Sequence, residues 1–584
     1  MANKPLEVIT RDDEAKFIAN QWFVFNSNKR QQIERWKELR NYIFATDTTT
    51  TTNKKLPWKN STTLPKLCQI RDNLHSNYIS ALFPNDEWLR WEAYTQDGAM
   101  VKKSKAIESY MANKTRESKF RTEISKSVYD YIDYGNCFLT VDFEASYRED
   151  ERGNRIVDYI GPIARRISPL DIVFNPLANN FQDSYKIIRS LKTVGELKLM
   201  AESEPDNEYL KTALNKRQLI SSGAYGVDTT DKAEALQIDG FGNFYDYLQS
   251  NSVEILEFWG DLHNNATGQL EKGVVITIID RAFVISKRKI PSWLGHTPIY
   301  HAGWRLRPDN LWAMGPLENL VGMQYRIDHI ENLKADAMDL SIHPPLKVIG
   351  EVEEFVYGPG VEIHIDAEGD VQELAKNVQW VIQANNEINF ITTLMEQYAG
   401  APSEAMGIRT PGEKTAFEVQ QLQNAAGRIF QEKVNNFEME ALEPTLNAMI
   451  EVARRNLDVA DVIRVMDDDL GVQTFLTITK EDITASGKLR PIGARHYAAQ
   501  AQLVQNLNSL FSTQIGQLVT PHLSTKQLSK LVEDVLGLSR YQLFQPNIAV
   551  FEQQETQRLA NQAMEDLQME QSIGPDGVAM APTQ

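Results

Sequence analysis

Apolar residues recur at helical spacing over 13–45. Phe17, Ile18, Trp22, Phe25, Ile33, Trp36, Leu39 and Ile43 alternate with charged positions, which predicts an amphipathic helix ending before the Thr48–Thr52 run. A second helix is expected over 64–83, closed by Pro84, and a third over 101–126. The period then changes. Short β-rich runs (CFLTVDF, VEILEFW, VVITIID, AFVISK) fall within 137–175 and 253–300 between Gly, Asn and Asp turns, as strands do. Between them, 186–250 combines a helix at 194–203 with a Gly/Asp/Thr-rich surface excursion around SSGAYGVDTTD.

The middle third is different in kind. Residues 316–341 place Leu317, Leu320, Ile327, Ile330, Leu333, Ala337 and Leu340 on one stripe of a helix about 39 Å long. Pro344 and Pro345 stop it, because proline lacks a donor and restricts its predecessor. Two short strands, LKVIG and GVEIHI, are expected next, joined through VYGPG. A second long helix over 374–398 has Val378, Ile382, Ile388, Ile391, Leu394 and Met395 on one side. Its other side holds the uncharged amides Asn377, Gln379, Gln383, Asn385, Asn386 and Asn389. The loop GAPSEAMGIRTPG follows. Thr410 and Glu413 then have capping-box spacing, with Pro411 at the first helical position. The helix they begin is expected to reach about 443, where Pro444 kinks or breaks it. Its stripe of Val419, Leu422, Ala426, Ile429 and Phe437 continues through Leu446, Met449 and Ile450. Beyond 457 come a strand pair (VIRVMD, TFLTIT), helices between 494 and 545, a Gln/Glu-rich helix over 551–571 and a Gly/Pro tail. The class is α+β, predominantly helical.

Composition narrows the functions. The 584 residues allow several cores, and 61 Lys+Arg against 79 Asp+Glu give a net charge of −18. Such a chain repels phosphate backbones as a whole, which argues against a sequence-independent DNA coat. The stretch 101–126 is a local exception. Lys102, Lys103, Lys105, Lys114, Arg116, Lys119, Arg121 and Lys126 stand there against Glu108, Glu117 and Glu123, as a solvated face or a contact with something anionic. Two cysteines, Cys68 and Cys137, exclude a disulfide framework and a four-thiolate zinc site and fit a reducing compartment. Neither a signal peptide nor a membrane-spanning segment is expected. No P-loop, G-x-S-x-G or H-E-x-x-H motif occurs. The Asp467, Asp468, Asp469 run reads as a solvated turn rather than a cation site, and His343 and His364 as surface residues rather than metal ligands. No enzyme activity, cofactor or metal centre is expected.

The order of elements, with LPWKNSTTLPKLCQIRDNLHSNYISALFP, WAMGPLENLVGMQYRID leading into HPPLKV, and TPGEKTAFEVQQ, resembles the portal proteins (head-tail connectors) of tailed bacteriophages, short-tailed ones in particular. The resemblance implies a wing (1–315), a stem helix (316–341), a β-containing clip (342–373), a second stem helix (374–398) and a tunnel loop (399–412). A long wing helix with return strands (411–490), crown helices (491–571) and a flexible tail (572–584) would complete it. It also implies a dodecameric ring at one capsid vertex. Double-stranded DNA would be packaged through it by a separate ATPase (terminase) and later ejected. Tail adaptors, capsid and scaffolding proteins are the other implied partners, in the virion and in the host cytoplasm during assembly. The tunnel-loop residues would be Glu404, Met406, Arg409, Thr410 and Lys414, and the stem-packing residues Ile327, Ile330, Leu333, Ile388 and Ile391. Partner docking would fall to the clip carboxylates Glu351, Glu353, Glu354, Glu362, Asp366, Glu368, Asp370 and Glu373. Residues 351–373 hold these eight acids and no Lys or Arg, as a solvated loop or, in a ring, a negative collar. The amide face of 374–398 lines the channel, or else meets water or a neighbouring subunit. A non-channel internal virion or scaffold-type assembly protein is the alternative reading, and an enzyme with an unrecognised site the third.

Overall fold

A computed structural model of the protein describes residues 12–44, 60, 62–84, 88–93, 98–149, 155–219, 252–264, 268–342, 346–349, 370–373, 379–400, 429–456, 461–466, 473–478, 483 and 487–491. Helices α1 (Asp13–Ile43) and α2 (Lys66–Leu82) lead to strand β1 (Leu89–Ala93). Helices α3 (Gly98–Glu117) and α4 (Phe120–Asp133) lead to β2 (Asn136–Glu149) and β3 (Arg155–Ile167). Then follow β4 (Ile172–Phe174), β5 (Lys186–Thr193), α5 (Val194–Ser203), α6 (Glu208–Leu219), β6 (Ser252–Asn264), β7 (Gln269–Ile279), β8 (Phe283–Lys289) and β9 (Ile299–Gly303). The hairpin β10 (Arg305–Arg307) and β11 (Asn310–Met314) and a 3-10 turn at Glu318–Leu320 precede α7 (Val321–Ile342). Strands β12 (Leu346–Ile349) and β13 (Asp370–Glu373) separate α7 from α8 (Gln379–Tyr398). Residues 429–437 are helical and run through a π turn, Glu438–Leu442, into α9 (Glu443–Asn456). Strands β14 (Asp461–Met466), β15 (Gln473–Ile478) and β16 (Gly487–Pro491) close the described chain.

The chain divides into two units. The first is Met1–Ile463 with Thr477–Ala494, and the second is Arg464–Leu476 with Arg495–Gln584, whose described residues are strand residues of β14 and β15. In the first, every pairing of known register is antiparallel, in a sheet ordered β3–β2–β9, a five-stranded sheet ordered β4–β5–β6–β7–β8, and the strand pairs β1–β16, β10–β11 and β12–β13. More of the described residues are helical than extended, so the fold is mixed, with helices packed on antiparallel sheets.

Alternation along β6 settles which face meets which helix. Leu256 and Phe258 join Ile187, Ile276 and Ile278 in the cluster that receives Ala15, Ile18 and Trp22 of α1. Val253 and Ile255 join Leu197, Leu210 and Ala213 of α5 and α6. Further along α1, Ile33 and Trp36 enter an aromatic core with Phe138, Phe174, Phe181 and Trp312. At the end of α4, Gly135 (φ 69°) passes so close to β11 that an added Cβ would stand 2.3 Å from the Met314–Gly315 backbone. Only glycine fits there, and this crossing places the start of α7.

Several sequence expectations change. The basic stretch 101–126 is two helices, because Lys119 adopts left-handed φ 55°, ψ 35° between α3 and α4. Helix 194–203 is found at those bounds, with the Thr193/Glu196 capping box, but α6 after it was not expected. The partner of β12 is β13, at 370–373; GVEIHI lies outside the described residues. Pro444 does not break its helix. Its ring would clash with the carbonyl of residue 440, and the π turn spans that carbonyl, so the helix continues and buries Leu446, Met449 and Ile450. Of the same stripe Phe437 is buried and Ile429 is exposed; Val419, Leu422 and Ala426 lie outside the described residues, as do the 494–571 helices.

Lys29 is buried among Trp36 and Trp312, and its Nζ donates to the carbonyls of Pro169 and Ile172. Burial, outweighing the attraction of Asp171, lowers its pKa to about 7. The neutral amine still has donors for two carbonyls. The unfolded chain keeps this proton to about pH 10.4, so the charging penalty is complete below pH about 7 and is relieved as pH rises through that window. In urea unfolding at pH 7 and at pH 9, the stability difference between wild type and Lys29→Met is expected to move toward wild type by about 2 kcal/mol. An unchanged difference would mean that Lys29 titrates normally.

Candidate functional site

The most specific contact set in the described chain joins α7 to Asn60, the non-helical residues 62–65 and the first turn of α2. Helix α7 carries Gln324, Asp328, Asn332 and Asp336 at intervals of four, and the first three are fully or almost fully buried. Four helical residues advance about 6.0 Å, and two extended residues about 6.6 Å. A ladder at i, i+4, i+8 and i+12 therefore meets alternate residues of a chain laid along the helix.

The hydrogen bonds follow that match. The Leu67 N–H donates to Gln324 Oε1 at 3.2 Å, and Gln324 Nε2 donates to the Leu64 carbonyl at 2.6 Å. The Leu64 N–H donates to Asp328 Oδ1 at 3.0 Å. Asn332 accepts the Thr62 N–H at 2.7 Å and returns its amide to the Thr62 carbonyl at 3.1 Å. The Asn60 N–H donates to Asp336 Oδ1 at 2.8 Å, while its side-chain amide reaches Asp336 and Asp339 at 2.9 and 2.8 Å. Side chains thus supply the partners that a neighbouring strand would otherwise supply. Lys66 extends the link by pairing with Glu396 of α8 at 2.8 Å, in a mostly buried setting.

One acceptor is left over. Asp328 Oδ2 is buried without a hydrogen-bond partner, as is the Thr63 hydroxyl. Burial raises the Asp328 pKa to about 6, although the Leu64 N–H and Gln324 hydrogen bonds oppose the shift.

Beyond the ladder, α7 and α8 pack against each other as a helix hairpin joined at its tip by β12 and β13. Arg326 pairs with Glu387 at 3.0 Å, and Lys334 donates to Asn385 at 3.2 Å. Of the expected stem-packing residues, Ile327 and Ile330 are buried, and Ile388 and Ile391 are half-buried. Leu333 is not packed within the chain: it is 53% exposed. The ladder turns a polar face of α7 inward beside Ile327 and Ile330 and leaves Leu333 outside. Exposed apolar side chains gather on this hairpin: Tyr325, Leu333, Met338, Ile342, Val348, Ile349, Trp380, Ile382, Phe390 and Tyr398. Gln383, Asn385, Asn386 and Asn389 are exposed too, so the amide face of α8 lies open within this chain.

Asp370 and Glu373 end β13, opposite Ile349 and Leu346. Glu351, Glu353, Glu354, Glu362, Asp366 and Glu368 lie outside the described residues, as do Glu404, Met406, Arg409, Thr410 and Lys414. So do Asp467, Asp468, Asp469, His343 and His364. Among the described residues, no three His, Cys, Asp or Glu side chains are grouped to hold a metal ion, and no helix is long and apolar enough to cross a membrane. No protein-family model matches the chain, and no curated protein matches it in sequence.

The ladder makes a pH prediction. Native Asp328 keeps its proton to about pH 6, whereas the unfolded carboxyl releases it near pH 3.9. The native state therefore binds more protons across that window and loses stability as pH rises through it. Asp328→Asn keeps an acceptor for Leu64 and carries no charge. It is expected to stabilise the protein by about 1 kcal/mol at pH 8, with the gain gone by pH 4. A loss of Tm at pH 8 would show that the ionised carboxylate is favourable there.

Proposed function

We propose that the chain is a portal-type ring protein of a short-tailed bacteriophage, with copies arranged around a channel for double-stranded DNA. The observation that carries this reading is the α7–α8 hairpin, which is fixed at its base and bare on its sides. An apolar surface of this kind on a water-soluble chain calls for a covering partner. A second copy offers the same hairpin, and head-to-tail contacts between identical hairpins close into a ring. On this reading α7 and α8 are the stem, β12 and β13 belong to the clip, and the sheets and α1–α6 form the wing.

The exposed amides of α8 support the same reading on chemical grounds. Asn and Gln offer weak, exchangeable hydrogen bonds to a moving duplex, where a ladder of Lys and Arg would hold it. The net charge of −18 likewise disfavours tight retention. A packaging ATPase, tail adaptors, capsid and scaffolding proteins would be the ring's other partners, and the channel would move DNA without performing chemistry on it.

Electron microscopy of the purified chain tests this directly. Rings with a central hole are expected; monomers or open filaments would favour a non-channel assembly protein. Leu333→Asp combined with Phe390→Asp, both at exposed positions, is expected to leave the Tm within a few degrees of wild type. Native mass spectrometry should then show rings replaced by smaller species. Unchanged rings in the double variant would remove these faces from the subunit interface.

A further inference from the structure

The turn between α3 and α4 concentrates positive charge on an acidic chain. From Lys114 to Lys126 there are five Lys or Arg and two Glu, on a chain whose net charge is −18. Both carboxylates are engaged. Glu117 lies 3.6 Å from the buried Lys114, and Glu123 pairs with Lys126 at 2.6 Å and accepts the Arg166 N–H. Arg116, Lys119 and Arg121 are exposed and make no ion pair among the described residues. The Arg121 guanidinium lies 5.6 Å from the centre of the Phe83 ring, which steadies it.

The backbone of this turn is arranged against its own stability. Lys119 holds φ 55°, a conformation that glycine adopts far more easily than lysine. It also occupies the cap position of a 14-residue helix without giving it a side-chain acceptor, so a cation stands at the positive end of the helix dipole. Next to it, Ser118 is only 9% exposed, and its hydroxyl has no hydrogen-bond partner. Unpartnered exposed cations and an uncapped helix start within six residues favour the same missing species, an oxyanion.

We propose that the α3–α4 turn is a docking surface for backbone phosphates of duplex DNA, with Arg116, Lys119 and Arg121 as its contacts. The choice of DNA over another anion rests on the DNA-channel reading above. Arginine forks match phosphate oxygens, and so small a set of cations gives a hold that salt readily displaces. Three phosphate contacts correspond to a slope of about −2.7 in log affinity against log salt. The surface would touch DNA without gripping it.

The test is fluorescence anisotropy of a short labelled duplex with the full-length protein across a salt series, alongside microscopy of the same samples. Lys119→Gly removes one cation and relaxes the left-handed backbone. It is expected to weaken binding about 8-fold at 0.1 M salt and to flatten the slope by about 0.9, with Tm equal to wild type or higher. Adding Arg116→Gln and Arg121→Gln should abolish the salt-dependent component. Equal affinity and slope in wild type and triple variant would overturn the proposal. So would binding of polyglutamate, but not the duplex, through these residues, since that would assign the turn to an acidic protein segment. Rings with unchanged DNA binding in the variants would defeat this proposal alone; duplex binding through the turn without rings would defeat the ring reading alone.

Discussion

An extended segment outside any sheet must find partners for its backbone, and in this protein α7 supplies them. Leaving an amide or carbonyl unpaired where the helix shields it from water costs on the order of 1–3 kcal/mol, so Asn60, Thr62, Leu64 and Leu67 would not stay against α7 unsatisfied. Gln324, Asp328, Asn332 and Asp336 meet that demand at the one helical spacing that keeps step with an extended chain. The helix is thereby tied to the entry of α2, and through Lys66 and Glu396 to α8. The direction of the hairpin follows from these contacts, and so does the choice of which of its faces stay bare.

Helix α7 is accordingly a helix with faces of different chemistry. Its amide and carboxylate ladder turns toward 60–67, and Ile327 and Ile330 are buried within the chain. Tyr325, Leu333 and Met338 remain open. A two-sided amphipathic scheme fails for such an element, since a buried polar face is as structural as an apolar one once each group is paired. The unpartnered Asp328 Oδ2 is the exception within the ladder, and it is the reason the link depends on pH.

Much of this was legible in the sequence. β-rich runs such as VEILEFW and VVITIID between turn residues marked β6 and β7, the helix expected at 194–203 is α5, and Pro344 marked the end of α7 to within two residues. The less legible features depend on contacts distant in sequence. The strand GKLRP pairs with β1 across the length of the fold, and its two lysine and arginine residues disguise it. Strand β13, DVQE, has only one apolar residue and exists through its partner β12. The π turn before Pro444 is a local accommodation to the proline that periodicity does not reveal. The ladder had a signal, polar residues at strict intervals of four within WAMGPLENLVGMQYRID and the residues after it. Reading the helix for its apolar stripe alone passed over that signal.

The central claim is that Asn60, Thr62, Leu64 and the entry of α2 are held by side chains of α7, and amide hydrogen exchange read residue by residue measures it most directly. The account predicts that the amides of Asn60, Thr62, Leu64 and Leu67 exchange slowly, and that Asn332→Ala with Asp328→Ala releases the protection of Thr62 and Leu64 while β6 and β7 keep theirs. Exchange of these four amides at unstructured rates in the wild-type protein would contradict it.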